Sequence, residues 1–346
     1  MAGSKPTGPT GPTGPASPTT DLHRRALVFD GHCDSLLDAV GLSETEPGSP
    51  PRDLALRSAR GHIDLPRLVE AGVSAQFFAV FCPDARVGMA GEHSRALIRA
   101  LDELCERSPL ALKALRADDA RRAKAEGRVA AFLAIEGGEA IGESLDELRA
   151  FYGAGVRLMT LTWNRRNAIA RGVGTPGDDG LSPFGRRVVA EMERLGMIVD
   201  VSHLSDRALD EVLDASERPL VASHSNAKAV LSHRRNLSDD QLERIAATGG
   251  LVGLTMAGVF VDAEPARVGL SRLMDHLDHM LGVVGDEHVG LGTDFDGFTA
   301  PYGLVMDDCT GLPLLTQAMI ERGYSEDTIL KILGGNWLRV VEEVVG

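Results

Sequence analysis

Eight short apolar or β-branched runs, each followed by a longer segment of helical spacing, recur along this chain, and that rhythm constrains the fold more than any other feature. The runs are "ALVFDGH" (26–32), "VSAQFFAVF" (73–81), "VAAFLAIEG" (129–137), "VRLMTLTWN" (156–164), "MIVDVSH" (197–203), "PLVASHS" (219–225), "LVGLTM" (251–256) and "HVGLGTDFDG" (288–297). Between them lie amphipathic stretches such as "EHSRALIRALDELCER" (92–107), "SDRALDEVLDAS" (205–216) and "SRLMDHLDHMLGVV" (271–284). Alternation of strand-length and helix-length segments is the pattern of a parallel α/β fold. Ser205 reads as a helix cap; Asp239 and Asp240 mark another helix start and Gly249-Gly250 its end. Eight units with no central linker predict a single (β/α)8 TIM-like barrel, with a doubly wound open sheet as the alternative. "LPLLTQAMIERG", "SEDTILKILGGN" and "WLRVVEEVV" predict extra C-terminal helices that seal it.

A chain of 346 residues can be one such barrel, and 43% hydrophobic residues suffice for its core. The formal net charge of -14 argues against a nucleic-acid groove or an anionic membrane surface as partner. Cys33, Cys82, Cys105 and Cys309 form no C-x-x-C pair and no disulfide framework, so the expected compartment is the reducing cytoplasm. Secretion of a processed precursor is compatible with the same sequence. No apolar run approaches the ~20 residues that span a bilayer. The opening "MAGSKPTGPTGPTGPASPTT" lacks an apolar core, so residues 1–22 are expected to be a disordered tail and residues 23–346 the barrel.

In a barrel of this kind the chemistry sits where strands end and the following loops begin. His32 and Asp34 end the first run, Glu136 the third, His203 the fifth, His224 the sixth, and Asp294 with Asp296 the eighth. One H-x-D ending could close an ordinary turn; five strands stopping in potential ligands at one level is a different matter. Three imidazoles with two or three carboxylates exceed what one four-coordinate zinc with an open position needs. They suit two divalent ions sharing a bridging carboxylate, which is hydrolytic chemistry. The remaining seven of the ten histidines lie on helices or in loops and read as structural.

With these residues in view, the chain resembles the membrane dipeptidase (renal dipeptidase) family of binuclear zinc peptidases. The resemblance rests on "DGHCD", "GHIDLPRLVEAGVSAQFF", "AIEGG", "DVSHLSD", "SHSNAKAVLSHRRNLSDD" and "VGLGTDFDG", which occur in order from residue 27 almost to the C-terminus. It implies that His32 and Asp34 bind one metal, His203 and His224 a second, and that Glu136 and a hydroxide bridge the two. Two Zn2+ are the implied cofactors, although His and carboxylate donors also accept Mn2+ or Co2+. Asp294 corresponds to the acid/base residue, and Arg235 to the arginine that grips the substrate's terminal carboxylate. Asp296 reads as a turn-closing residue, and Arg234 as facing solvent.

One position departs from the family pattern. Where well-known members have a histidine that assists the substrate carbonyl, "LTLTWNRRNAIARG" has Trp163, which offers one N–H and does not ionise. Either Trp163 lines the pocket while Asn164 or Asn167 donates to the carbonyl, or the metals supply all the electrophilic help. Arg165, Arg166 and Arg171 make this loop basic: a solvated surface, or a selector for acidic substrate side chains.

The expected function is a dipeptidase that cleaves L-Xaa–L-Yaa or L-Xaa–D-Yaa substrates by attack of the metal-bridging hydroxide. The rivals are a related hydrolase of cyclic amides, lactams or esters and a metal-bound scaffold without activity. The lipid anchor of some members does not carry over to the charged ending "RVVEEVVG". A homodimer is implied by the resemblance alone.

Overall fold

The computed structural model describes residues 18–346 apart from 44, 178 and 299–304. Nine parallel strands form its sheet: β1 (Val28–Cys33), β2 (Val73–Phe81), β3 (Ala111–Lys113), β4 (Val129–Glu136), β5 (Val156–Thr160), β6 (Ile198–Asp200), β7 (Leu220–Ala222), β8 (Leu251–Leu254) and β9 (Val289–Leu291). Their order is β2-β1-β9-β8-β7-β6-β5-β4-β3, and pairing of β2 with β4 from Ala75↔Ala130 to Phe81↔Glu136 closes an eight-stranded ring. Closure excludes the open-sheet alternative. β3, which the sequence rhythm did not announce, pairs only with the first residues of β4; at three residues it is too short to show a period.

The pleat separates two cores. Phe29, Phe77, Phe132, Leu158, Ile198, Val221 and Leu251, drawn from strands around the ring, belong to one buried cluster and so fill the barrel interior. The strand residues between them, such as Val28, Phe78, Leu133 and Val199, belong to the outer cluster shared with the helices. Trp337, from the helix Asn336–Val344, packs against Phe29 and Phe77, and its indole N–H donates to the Leu291 carbonyl at 2.7 Å. Gly31 makes room for it, because a Cβ there would lie 2.1 Å from the indole ring. The C-terminal segments thus seal the barrel: Leu312–Glu321, Glu326–Leu330 and Asn336–Val344 are all helical.

The helix at 206–215 is capped as its sequence predicts, with Ser205 accepting from the Ala208 N–H, and Ser238 with Gln241 forms a capping box before Asp239–Ala247. The expected tail lies outside the described residues up to position 17, but its residues 18–22 belong to the helix Pro18–Arg25. Two anchors order that stretch: Leu22 enters the core, and His23 bonds Thr316 Oγ1 at 2.7 Å and the Ala71 carbonyl at 2.8 Å. A composition argument weighs the Pro/Gly repeat and does not see two such contacts.

Several ladders stop short of the apolar runs that announced them, at Asp200, Ala222, Leu254 and Leu291. Beyond those points backbone N–H groups turn to side chains: Ser202 donates to Asp200 Oδ1 at 3.0 Å and Thr293 to Asp30 Oδ1 at 2.8 Å. The residues that carry chemistry begin where the ladder ends.

Candidate metal centre

His32 lies in β1, Asp34 one residue beyond it, and Glu136 closes β4. His203 and His224 follow β6 and β7, and Asp294 follows β9. Among the described residues the only non-glycine positions with positive φ are His203 (68°), Asp294 (64°) and Asp296 (64°). Left-handed backbone at such residues costs energy and persists where the surroundings fix it, most often at functional sites.

The donors converge. Glu136 Oε1 is 3.0 Å from His203 Nε2 and 3.9 Å from His224 Nε2, while its Oε2 is 3.5 Å from His32 Nε2. Asp34 Oδ2 and Asp294 Oδ1 approach His32 Nε2 to 3.3 and 3.8 Å. Three overlapping sets, each with ligand atoms within 4.8 Å of one another, are present: His32–Asp34–Glu136, Glu136–His203–His224 and His32–His224–Asp294. All six side chains are buried.

The protonation pattern fits a cation site. His203 Nδ1 bonds Asn164 Oδ1 at 2.9 Å and His224 Nδ1 bonds Ser223 Oγ at 2.8 Å. With each ring N–H donated outward, two lone pairs face each other across the 2.8 Å between His203 Nε2 and His224 Nε2, an arrangement a shared cation relieves. Burial holds His203 down to about 4 and His224 well below the usual imidazole range, so both are neutral and able to ligate. Burial and the charge of Glu136 raise Asp34 well above the carboxylate range. Burial alone would raise Glu136 too, but His32 and His203 outweigh it and hold the group well below its ordinary value. Burial would likewise lower His32, yet the charges of Glu136 and Asp34 outweigh it and raise the ring well above the usual imidazole range. Asp34 Oδ1 and His32 Nδ1 are buried without hydrogen-bond partners, and a side chain at Gly297 would collide with Asp34 and Asp294. The donor set and the space left around it fit two divalent ions.

Asp34, Glu136, His203 and Asp294 line a pocket whose walls are Phe81, Trp163, Asn164, Phe260, Gly297 and Phe298. Arg235 is buried beside it, with Nη2 donating to the His224 carbonyl at 3.3 Å and Nε unpaired; burial lowers it to about 10. Arg234 is exposed and Asp296 is structural: its carboxylate accepts from Ser35 Oγ, Arg52 Nη2 and the His62 N–H. The other seven histidines all have partners elsewhere, His276 between Ala227 and Val261 among them.

The contacts of the Trp163 loop bear on its residues one by one. Asn164 lines the pocket and its Oδ1 accepts from His203 Nδ1, so it orients that ring. Asn167 is spent on the loop itself, donating to Leu161 O and accepting from the Ile169 and Ala170 N–H groups. The three arginines are neutralised: Arg165 by Glu139 and Asp84, Arg166 and Arg171 by Asp179. Trp163 does form a wall, 5.2 Å from Phe81 between ring centres and with the Arg165 guanidinium 5.0 Å from its ring. Phe81, Phe260 and Ser223 were not singled out from the sequence; the serine directly before His224 was the one readable signal among them.

A family model, "Membrane dipeptidase (Peptidase family M19)", matches residues 17–345. Dipeptidase tcpJ of Claviceps purpurea (strain 20.1) is 34% identical over 310 residues, 85% of this chain and 71% of that protein. The crystal structure of dipeptidase AC, a metallopeptidase of family M19, superposes with a TM-score of 0.83 at 34% identity, covering 93% of this chain and 99% of that one. A Rhodobacter sphaeroides metallopeptidase, liganded with a phosphinate mimic of the dipeptide L-Ala-D-Ala, superposes at 0.81 with 32% identity over 92% and 99% of the two chains. The chain therefore belongs to the membrane dipeptidase family, peptidase family M19, and is a metal-dependent dipeptidase.

Proposed function

We propose that this dipeptidase hydrolyses L-Xaa–L-Yaa and L-Xaa–D-Yaa substrates with two divalent cations, zinc in the first instance, held on either side of Glu136. The observation that carries the reading is the division of that carboxylate, Oε1 toward His203 and His224 and Oε2 toward His32. On this reading His32 and Asp34 hold one cation and His203 and His224 the other. When bound, such a pair lowers the pKa of a water held between them and polarises the scissile carbonyl.

The remaining work falls to the chain. Asp294 takes a proton from the attacking water and returns one to the departing amine; burial pushes its carboxyl up to about 7, within reach of both states. Arg235 pairs with the substrate's terminal carboxylate through its guanidinium, of which Nη2 also donates to the His224 carbonyl. That buried charge favours a substrate with a free carboxylate over a neutral lactam, cyclic amide or ester. Phe81, Trp163 and Phe260 wall the pocket and exclude water around the reacting bond. The dipeptide mimic bound by the Rhodobacter relative supports a D-residue at the C-terminal position. Intact donors and an intact Asp294 speak against an inactive scaffold.

Metal analysis joined to a dipeptide screen tests the proposal. The wild type is expected to hold two equivalents, and Glu136→Gln to lose metal and activity together. Full turnover from a protein with one equivalent would overturn it.

A further inference from the structure

The two sides of the centre are not built alike, and the difference lies beneath His224. Asp200, the last residue of β6, is fully buried one interior step above Ile198. Thr160 and Ser223 stand in the same relation to Leu158 and Val221, so the three make a polar layer between the apolar floor and the donors. Asp200 Oδ1 accepts from the N–H groups of Ser202 (3.0 Å) and Ser223 (2.9 Å). Its Oδ2 accepts from the hydroxyls of Thr160 (2.5 Å) and Ser223 (2.6 Å).

Ser223 has one hydroxyl hydrogen, and Asp200 takes it. The 2.8 Å contact between Ser223 Oγ and His224 Nδ1 therefore has the ring N–H as donor. Ser202 braces the same turn, its Oγ accepting from the His224 backbone N–H at 3.2 Å. An imidazole protonated at Nδ1 presents its lone pair at Nε2, the atom that faces His203 and Glu136. On the other side His32 Nδ1 has no partner, and the buried Asp30 carboxylate accepts from Thr293 and the His32 backbone N–H without reaching the His32 ring.

We infer that Asp200, acting through Ser223, is a positioning residue that fixes the tautomer and tilt of His224 and makes the His203–His224 position the more rigid of two unequal cation sites. The inference rests on the two-cation reading above. Ser223 acts through His224, and Asp200 through Ser223, so the experiment measures metal affinity first.

Full-length wild type, Ser223→Ala, Ser223→Thr and Asp200→Asn are titrated with Zn2+ against a competing chelator, and the visible spectrum of the Co2+-loaded proteins is recorded. Ser223→Ala is expected to bind one of two equivalents about 10- to 100-fold more weakly, with an altered Co2+ spectrum, while the other equivalent is unchanged. Ser223→Thr, which keeps the hydroxyl, is expected to restore both. Wild-type affinity for both equivalents in Ser223→Ala overturns the inference, and that variant decides the matter if Asp200→Asn does not fold. A wild type that binds one equivalent, weakened in Ser223→Ala, overturns the two-cation reading and with it the comparison of two sites, and leaves standing only the positioning of His224 by Asp200 and Ser223; one that binds none overturns both.

Discussion

Gly297→Ala is the smallest change expected to disable the centre without touching a donor. A Cβ at this position would lie 2.3 Å from Asp34 Oδ2 and 2.4 Å from Asp294 Oδ1. Carbon and oxygen rarely approach closer than about 3.3 Å, so each carboxylate must retreat by roughly 1 Å. Both are tethered at the backbone: Asp34 donates its N–H to the Phe295 carbonyl at 2.9 Å and Asp294 to the His32 carbonyl at 3.2 Å, and Asp34 Oδ2 already sits 3.3 Å from His32 Nε2. The loop cannot swing away cheaply, because Asp296, the preceding residue, is tied to Arg52, Ser35 and His62. Sites of this kind work within about 0.5 Å of their productive geometry, and a 1 Å misplacement costs on the order of 100-fold in rate. The variant should therefore lose about 100-fold or more in kcat on a dipeptide, together with weakened metal retention on dialysis. Thermal unfolding of the metal-free protein should change little, since the added methyl faces the pocket and not the core. A kcat and a metal content both close to wild type would refute the claim that Gly297 is held small by the two carboxylates.

Replacing Asp294 with Asn should leave metal content unchanged and lower kcat by about 10²- to 10⁴-fold, as loss of a positioned acid/base does; near-normal turnover would remove that role. Arg235→Lys should raise KM for dipeptides through loss of a charge-assisted pair worth about 1.5–3 kcal/mol, and leave neutral substrates without a terminal carboxylate unaffected; equal losses on both classes would contradict the carboxylate grip. His276 makes a separate test of stability. Its Nδ1 accepts from the Ala227 N–H and its Nε2–H donates to the Val261 carbonyl, so a second ring proton would face a donor. Burial lowers it from 6.5 to about 4, and the unfolded chain therefore binds that proton more readily than the folded one. The stabilisation is complete above pH 6.5 and is lost as pH falls toward 4, at most about 3 kcal/mol in all. Denaturation of metal-free protein at pH 7 and pH 4 should show that loss in the wild type and less of it in His276→Asn; parallel pH dependence in the two would exclude it.

The convergence of the candidate donors was legible because a barrel sets the ends of its strands at one level, so a linear pattern of runs ending in His, Glu or Asp is already a spatial statement. The meeting of His32, Glu136, His203 and His224 needed nothing more. What could not be read were contacts between loops. The basic look of Arg165, Arg166 and Arg171 vanishes once Glu139, Asp84 and Asp179 are beside them, and no periodicity reports that. The contact of Asn164 Oδ1 with His203 was equally hidden, because the two residues lie 39 positions apart. β3 and the helix Pro18–Arg25 escaped for a different reason: short elements owe their order to neighbours, β4 in one case and Ala71 with Thr316 in the other.

The centre also explains how a strongly acidic chain tolerates so many carboxylates inside a barrel. Asp30, Asp34, Glu136, Asp200 and Asp294 are all buried, and buried charge is costly unless it is paired or satisfied by hydrogen bonds. Asp200 is satisfied by four donors, and Asp30 by Thr293 and the His32 backbone. Asp34 and Asp294 lack such donors and answer by holding protons more tightly, as does His32 between its carboxylates. A cation held by Asp34 and His32 would compete with those protons for the same atoms, which would tie metal affinity to pH through the donors themselves. The candidate donors His32, Asp34, Glu136, His203 and His224 end or follow β1, β4, β6 and β7, so a cation bound among them would also join strands from around the ring.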